Sequence, residues 1–167
     1  LRANAGLNNL QVLFPMISRV SELDEAMGLL ARAYRELLEE GLAATKVRVG
    51  VMIEVPSAVF LAGTLANRVD FLSIGTNDLT QYLLAVDRSN PLVQGRHDNL
   101  HPAVVHFVGD IVQRAHRQNK PVGVCGEIAS DPVAVPVLIG LGVDELSLNP
   151  GSIPQVKAII RTLNMQA

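Results

Sequence analysis

The chain has 167 residues, enough for one domain with a sizeable core, and its hydrophobic fraction of 49% includes only 4% aromatic residues. Aliphatic side chains must therefore fill the interior, as they do in parallel sheets that are buried on both faces. The formal net charge is −2 and there is no basic run, which argues against nucleic acid as a partner. A single cysteine excludes an internal disulfide, and no apolar segment of about 20 residues is present, so we expect no membrane partner and a cytoplasmic location.

The first predicted strand is the apolar run from Leu10 to Phe14, which Pro15 closes. A helix follows, and Ser21 is predicted as its N-cap because acidic residues occupy the next positions, where the helix dipole favours them. Apolar residues then recur every three or four positions, so the helix is amphipathic and should end near Gly41.

The second predicted strand covers Val47 to Ile53, and Glu54 follows directly at its end. Pro56 is well placed to open the next helix, which we expect to continue to about Asn67, because proline fits the first helical position.

The third strand begins near Asp70, and its apolar run covers Phe71 to Ile74. We predict a polar turn at Gly75-Thr76-Asn77-Asp78 and an amphipathic helical segment from Leu79 to Val86. The polar stretch from Asp87 to His101 is predicted as a long loop over one end of the fold.

Two further strands and three helices complete the predicted order. The fourth strand ends in Cys125-Gly126-Glu127, and the fifth ends in Asn149-Pro150-Gly151. The predicted ranges are a helix at Ala103–Asn119, a strand at Pro121–Val124, a helix at about Asp131–Leu141, a strand at Glu145–Leu148 and a helix at Ile153–Leu163.

Alternating strands and helices indicate a parallel sheet with right-handed crossovers. Two arrangements fit the pattern equally well: an open doubly wound sheet, or part of a (β/α)₈ barrel, which needs eight strands and about 250 residues when complete. No Gly-x-Gly-x-x-Gly follows any strand, which weakens a dinucleotide-binding interpretation.

Polar residues that follow the strands are the candidate site. Because the carboxyl ends of parallel strands lie on one side of a sheet, Glu54 and Asp78 could converge on one hard cation, and two carboxylates suit Mg²⁺. The competing interpretation is that each acid caps a helix or pairs with an arginine. Taken alone, Arg88 is more often a surface residue and Cys125 a buried one. The four histidines show no metal-ligand spacing, and we assign them no catalytic role.

The stretch Asp70-Phe71-Leu72-Ser73-Ile74-Gly75-Thr76-Asn77-Asp78-Leu79-Thr80-Gln81 resembles a signature of the phosphoenolpyruvate-utilising enzymes. Three more strand-end motifs, in the same order, are similar to those of enzyme I, the phosphoenolpyruvate-protein phosphotransferase of the bacterial phosphotransferase system. They are Phe14-Pro15-Met16-Ile17, Gly50-Val51-Met52-Ile53-Glu54-Val55-Pro56-Ser57 and Val124-Cys125-Gly126-Glu127-Ile128-Ala129. The segments Tyr82 to Arg88 and Leu100 to Val104 look closest to the nitrogen-related branch of this family.

The resemblance implies a mechanism. Enzyme I moves the phosphoryl group of phosphoenolpyruvate to one of its own histidines, passes it to a histidine-containing phosphocarrier protein, and releases pyruvate. By this resemblance Glu54 and Asp78 ligate Mg²⁺, and Asp78 also belongs to the substrate site with four others. Those four are Asn77 and Arg88, which hold phosphoryl oxygens, and Gly75 and Thr76, whose backbone approaches the substrate. Cys125 is the catalytic acid that protonates the enolate at carbon 3.

The resemblance also implies that the fold is the C-terminal portion of a (β/α)₈ TIM barrel, about five β/α units that correspond to strands 4 to 8. We expect residues 1–167 to be a partial phosphoenolpyruvate-binding domain, since the chain starts with Leu1 and not with Met. A chain without the earlier strands and the phosphohistidine domain should not turn over phosphoenolpyruvate, and should bind Mg²⁺ weakly at most. Exposed strand edges and the family's dimerisation predict a homodimer.

The residues of this sequence are also compatible with two other functions. One is a fragment of pyruvate phosphate dikinase or phosphoenolpyruvate synthase, which share the strand-end residues but couple them to an ATP-binding domain. The other is a dimerisation or regulatory module in which the site residues are present without turnover.

Overall fold

A computed structural model describes residues 1–164, so the last three residues of the predicted domain range lie outside the described residues. Five parallel strands form one sheet, and their order along the sheet is their order along the chain. The strands are β1 (Gln11–Phe14), β2 (Arg48–Ile53), β3 (Phe71–Gly75), β4 (Val122–Cys125) and β5 (Glu145–Ser147).

Helices connect successive strands, with two of them between β3 and β4, and one further helix follows β5. Among the described residues, no helix combines the length and apolar character that crossing a bilayer requires. The helices are α1 (Val20–Glu39), α2 (Pro56–Ala66), α3 (Thr76–Leu84), α4 (Pro102–His116), α5 (Ala134–Gly140) and α6 (Ile153–Thr162).

The strand order decides between the two arrangements that the sequence left open. A doubly wound sheet reverses its strand order at a switch point, with helices on both faces. Here β1-β2-β3-β4-β5 runs without a reversal, so each strand pairs with the next one in the chain. The doubly wound interpretation is therefore excluded.

The two faces of the sheet differ because side chains alternate along a strand. On the face that packs against the helices, aliphatic residues such as Val51, Leu72 and Val124 are completely buried. On the opposite face, Met52, Ser73 and Cys125 are only half-buried and line a concavity of about 520 Å³. The aliphatic core predicted from composition thus lies on the helix side, and the polar groups lie on the open side.

Helix α1 starts earlier than predicted. Its N-cap is Arg19, so the prediction that Ser21 caps the helix is wrong. The Glu22 carboxylate instead accepts hydrogen bonds from the backbone N–H groups of Ser18, at 2.8 Å, and Arg19, at 3.3 Å. An acid at the third helical position therefore accepts from the backbone just before the helix, as the acid of a capping box does.

The predicted polar turn after β3 is also wrong. The strand passes at Gly75 directly into α3, so Thr76, Asn77 and Asp78 form the first turn of that helix. Helical geometry therefore holds these three residues next to the strand end, with less freedom than an open turn would give.

Candidate functional site

The site lies at the carboxyl edge of the sheet, where β2, β3 and β4 end side by side. The register pairs Ile53 with Ile74 and Gly75 with Cys125. The residues that follow these positions, among them Glu54 and Asn77, therefore come from neighbouring strands and meet at one edge. The sequence-based expectation that strand-end polar groups converge is met for Glu54, Asn77, Asp78 and Cys125.

Glu54 is a buried carboxylate with one oxygen already engaged. It is 4% exposed, and its Oε1 accepts a hydrogen bond from the backbone N–H of Met16 at 2.7 Å. Met16 holds a left-handed backbone conformation, φ 56°, which a non-glycine residue rarely adopts. The loop after β1 thus orients the Glu54 side chain from the neighbouring strand.

Gly75 is explained by Glu54. A Cβ atom at Gly75 would lie 2.8 Å from Oε2 of Glu54 and 2.9 Å from its Cβ. Such distances are too short for real contacts, so any larger residue at Gly75 would displace the carboxylate.

Burial raises the pKa of Glu54, and the nearby carboxylate of Asp78 raises it further, against the lowering effect of the Met16 N–H. Two carboxylates therefore face each other in a partly desolvated place. Within residues 1–164 no group of three or more His, Cys, Asp or Glu side chains is placed to hold a metal ion. The pair still fits Mg²⁺, which commonly takes one or two carboxylates and completes its shell with water and phosphate oxygens.

Asn77 is held through both its side chain and its backbone. Its Oδ1 accepts a hydrogen bond from the backbone N–H of Glu127 at 3.1 Å, and its carbonyl oxygen lies 3.3 Å from Nε2 of His97. With the amide oxygen engaged, the amide NH₂ remains available as a donor to an anion.

Cys125 is half-buried, and its thiol donates to the carbonyl oxygen of Ile74 at 3.4 Å. The Ser73 hydroxyl approaches the sulfur at 3.8 Å. Burial raises the pKa of Cys125, the carboxylates of Glu54 and Asp78 raise it too, and the Ser73 hydrogen bond opposes them. The thiol therefore stays protonated at neutral pH, which suits a proton donor better than a nucleophile.

Thr76 and Gly126 connect α3 to the segment after β4. Thr76 is completely buried, and its hydroxyl donates to the carbonyl oxygen of Cys125 at 2.8 Å. Gly126 has φ +112°, and a Cβ there would collide with the Thr76 hydroxyl and lie 2.8 Å from Oδ1 of Asn77. The side chain of Thr76 thus contacts protein and not the open face of the site.

Arg88 stands apart from the other predicted site residues. It lies in the loop after α3 and is exposed, and its backbone N–H donates to Oε1 of Gln81 at 3.3 Å. In the described part of the chain its guanidinium makes no hydrogen bond or ion pair.

Sequence reasoning missed three contributors to this geometry: the Met16 N–H, the Ser73 hydroxyl and the His97 ring. Met16 and Ser73 lie inside motifs that resemble those of the family, but the sequence alone indicates no role for either residue. His97 could be found only from the fold, because 20 residues of chain separate it from the Asn77 carbonyl that it approaches.

Comparison with known proteins gives a family match over nearly the whole chain. The model of the family described as "PEP-utilising enzyme, PEP-binding domain" matches residues 1–165. The "Phosphoenolpyruvate-dependent phosphotransferase system" protein of Salmonella typhimurium is 48% identical over 99% of this chain and 22% of its own length. The "Phosphoenolpyruvate-protein phosphotransferase" of Haemophilus influenzae is 44% identical over 99% of this chain and 29% of its own length. The chain thus spans less than a third of these relatives.

Solved structures with low sequence identity share the fold. A malate synthase from Haloferax volcanii, in a magnesium and glyoxylate complex, superposes with a TM-score of 0.66 at 15% identity. The match covers 93% of this chain and 46% of that one.

Proposed function

Since the chain belongs to the PEP-binding domain family of the phosphoenolpyruvate-utilising enzymes, we propose that it forms the phosphoenolpyruvate-binding part of a phosphoenolpyruvate-protein phosphotransferase. The observation that carries the proposal is the pair formed by the buried Glu54 and the half-buried Asp78 beside a protonated Cys125 thiol, at one edge of a parallel sheet. The parent enzyme moves the phosphoryl group to a histidine and then to a histidine-containing phosphocarrier protein.

Phosphoenolpyruvate carries a phosphate and a carboxylate, so its binding requires donors and positive charge. The Asn77 amide NH₂ is left free by the bond that Glu127 makes to its oxygen, and it donates to a phosphoryl oxygen. The Arg88 guanidinium, unpaired in the described chain, closes on the same group from the loop after α3. The N–H groups of Gly75 and Thr76, with Asp78, border the substrate at the start of α3.

Loss of the phosphoryl group leaves the enolate of pyruvate. The Sγ–H bond of Cys125 breaks as the electron pair of the enolate double bond takes the proton at carbon 3, and pyruvate and a thiolate result. Solvent returns a proton to the thiolate. Burial supports this role, because it keeps the thiol protonated until the enolate forms.

Glu54 and Asp78 are the residues that would hold Mg²⁺. When bound, the ion neutralises charge on the substrate's carboxylate and phosphate. Without it, the two carboxylates would repel the same groups.

The strand order supports the proposal that β1 to β5 are strands 4 to 8 of a (β/α)₈ barrel and that residues 1–167 form part of that domain. We assign the chain to the nitrogen-related branch on the segments Tyr82 to Arg88 and Leu100 to Val104. A homodimer is expected from the strand edges at β1 and β5, and a monomeric sedimentation profile of the natural protein would contradict it.

The decisive experiment is titration calorimetry of the natural protein that carries this sequence, with phosphoenolpyruvate in the presence and absence of Mg²⁺. We expect Mg²⁺-dependent binding, and phosphorylation of the protein by labelled phosphoenolpyruvate. Cys125→Ala should keep the binding and lose catalysed exchange of the pyruvate methyl hydrogens with solvent. Absence of Mg²⁺-dependent binding in the unaltered protein would overturn the proposal.

A further inference from the structure

The completely buried Thr76 hydroxyl lies between the two halves of the proposed site. It is the first residue of α3, next to Asn77 and Asp78, and its hydroxyl donates to the Cys125 carbonyl 49 positions later in the chain. No water or substrate can reach this hydroxyl, because the residue has no exposed surface.

A second contact acts in parallel. The Asn77 amide oxygen accepts from the backbone N–H of Glu127, two residues after Cys125. The backbone on both sides of Gly126 is therefore held by successive residues of α3, one as an acceptor and the other as a donor. Two bonds to one short segment fix its position and also its direction.

Gly126 makes this close approach possible. Its backbone, φ 112° and ψ −178°, lies in a region that only glycine adopts readily. A side chain there would occupy the space of the Thr76 hydroxyl and the Asn77 amide. The peptide after Cys125 can thus lie directly on the start of α3.

We propose that Thr76 is a positioning residue that holds the Cys125 thiol toward the substrate. This role rests on the proposed function. There the backbone N–H of Thr76 borders the substrate, whereas here the Thr76 side chain holds the Cys125 segment. Without the hydroxyl, the Cys125 carbonyl loses its buried partner and the segment shifts. A thiol misplaced by about 1 Å would lose much of its rate as a proton donor.

The chain offers a matched control in Thr80, one helical turn further along α3. Thr80 is also completely buried, and its hydroxyl also makes one side-chain bond, to Oδ1 of Asn99 at 3.0 Å. Thr80→Val removes a comparable buried bond without touching the Cys125 segment. Thr76→Ser keeps the hydroxyl and removes only a methyl group.

The test uses the natural protein and two readouts. The first is the rate of iodoacetamide alkylation at Cys125, followed by mass spectrometry of that peptide. Thr76→Val should change this rate about fivefold, while Thr76→Ser and Thr80→Val stay within about twofold. An unchanged rate in Thr76→Val, or an equal change in Thr80→Val, overturns the proposal.

The second readout separates positioning from general damage. Thr76→Val should slow hydrogen exchange of the pyruvate methyl group about tenfold more than it slows phosphorylation by phosphoenolpyruvate. Equal loss of both reactions, or no loss of exchange, overturns the positioning role. If the unaltered protein does neither reaction, the proposed function fails, and the alkylation comparison still decides whether Thr76 holds the Cys125 segment.

Discussion

At the scale of single residues, Glu54 is a buried carboxylate whose charge lowers the stability of the fold. A carboxylate with 4% exposure next to another acid costs folding free energy, which one hydrogen bond from Met16 offsets only in part. Carboxylates with such raised pKa values are enriched at functional sites.

Glu54→Gln should stabilise the protein in the absence of divalent cations and abolish Mg²⁺-dependent substrate binding. The pKa of Glu54 is raised above 4.5, so its folded form binds a proton more readily than its unfolded form. Its contribution to stability is therefore largest below pH 4.5 and falls as the pH rises toward the folded pKa. Above that window we expect a gain of about 1 kcal/mol, or about 2–4 °C in Tm.

Thermal unfolding at several pH values checks this prediction. Glu127→Gln is the matched control, because Glu127 is also a strand-end glutamate but is exposed. A variant at Glu54 that is less stable than the unaltered protein at pH 7 would show that the carboxylate is not destabilising.

Asn77→Asp tests the direction of the amide. The carboxylate can still accept from the Glu127 N–H, but it presents a negative oxygen where the NH₂ group stood. We expect phosphoenolpyruvate affinity to fall more than about tenfold, since a lost donor becomes a repulsive charge. Calorimetry and the unfolding midpoint measure binding and stability separately, and unchanged affinity would show that the NH₂ group does not contact the substrate.

Sequence reasoning at this scale identified which residues converge but not how each is held. Glu54, Asp78 and Cys125 could be predicted because each follows an apolar strand, and parallel strands end at one edge. The engagement of Thr76 with Cys125 could not be predicted, since it depends on β3 passing into α3 without a turn. Local propensity gave no sign of that continuity.

At the scale of elements, two aspartates join strands at the amino edge of the sheet in the same way. Asp70, just before β3, accepts from the Val49 N–H at 2.8 Å, and Asp144, just before β5, accepts from the Val122 N–H at 2.8 Å. Each aspartate's own N–H donates back to the carbonyl of the same partner residue. The repeated pattern Val-Asp-x-Leu-Ser, at 69–73 and 143–147, is the sequence signal of this device.

Asp144→Ala should destabilise the protein at neutral pH. Although burial opposes it, hydrogen bonds from His116 and Val122 lower the pKa of Asp144. Its contribution is therefore present above pH 3.8 and is lost as the pH falls through the lower folded pKa. Because Asp144 and His116 are partly exposed, we expect Asp144→Ala to lower the free energy of unfolding by about 1 kcal/mol.

Urea unfolding at pH 7 and at pH 2.5 measures the Asp144 effect. Asp98→Ala is a suitable control, because Asp98 also accepts a backbone N–H, from Leu100 at 2.9 Å, but within an exposed turn. Equal losses of stability in the two variants would show that the bond between Asp144 and the Val122 N–H contributes no more than a bond in an exposed turn.

Gly126→Ala should cost more stability than Gly142→Ala. Both glycines have positive φ, +112° and +87°, but a Cβ at Gly142 meets its nearest atom only at 3.5 Å. Gly142→Ala should therefore cost about 1 kcal/mol from backbone strain, and Gly126→Ala about 2 kcal/mol or more from strain and collision. Chemical unfolding measures the stability of both variants. Equal losses of stability would mean that α3 shifts to make room for the added methyl group.

At the scale of the whole molecule, alternation of strands and helices was enough to predict a parallel sheet, but not the strand order. Periodicity describes one element at a time, whereas the order depends on which side of the sheet each helix crosses. Here every strand pairs with its successor, which no single segment encodes.

That order has a consequence for how the chain folds. Val51 pairs with Leu72 and Val124 with Leu146, which close much shorter loops than the pairing of Ile74 with Val124. Because shorter loops lose less entropy on closure, these two units should form first and dock through β3 and β4 afterwards. In folding kinetics, Leu72→Ala should slow folding, while Val12→Ala should mainly speed unfolding, since the pairing of β1 with β2 closes a longer loop than the pairing of β2 with β3. Asp70 and Asp144 would then form their bonds between strands early in folding. The site at the opposite edge of the sheet would be assembled last, when β3 and β4 pair.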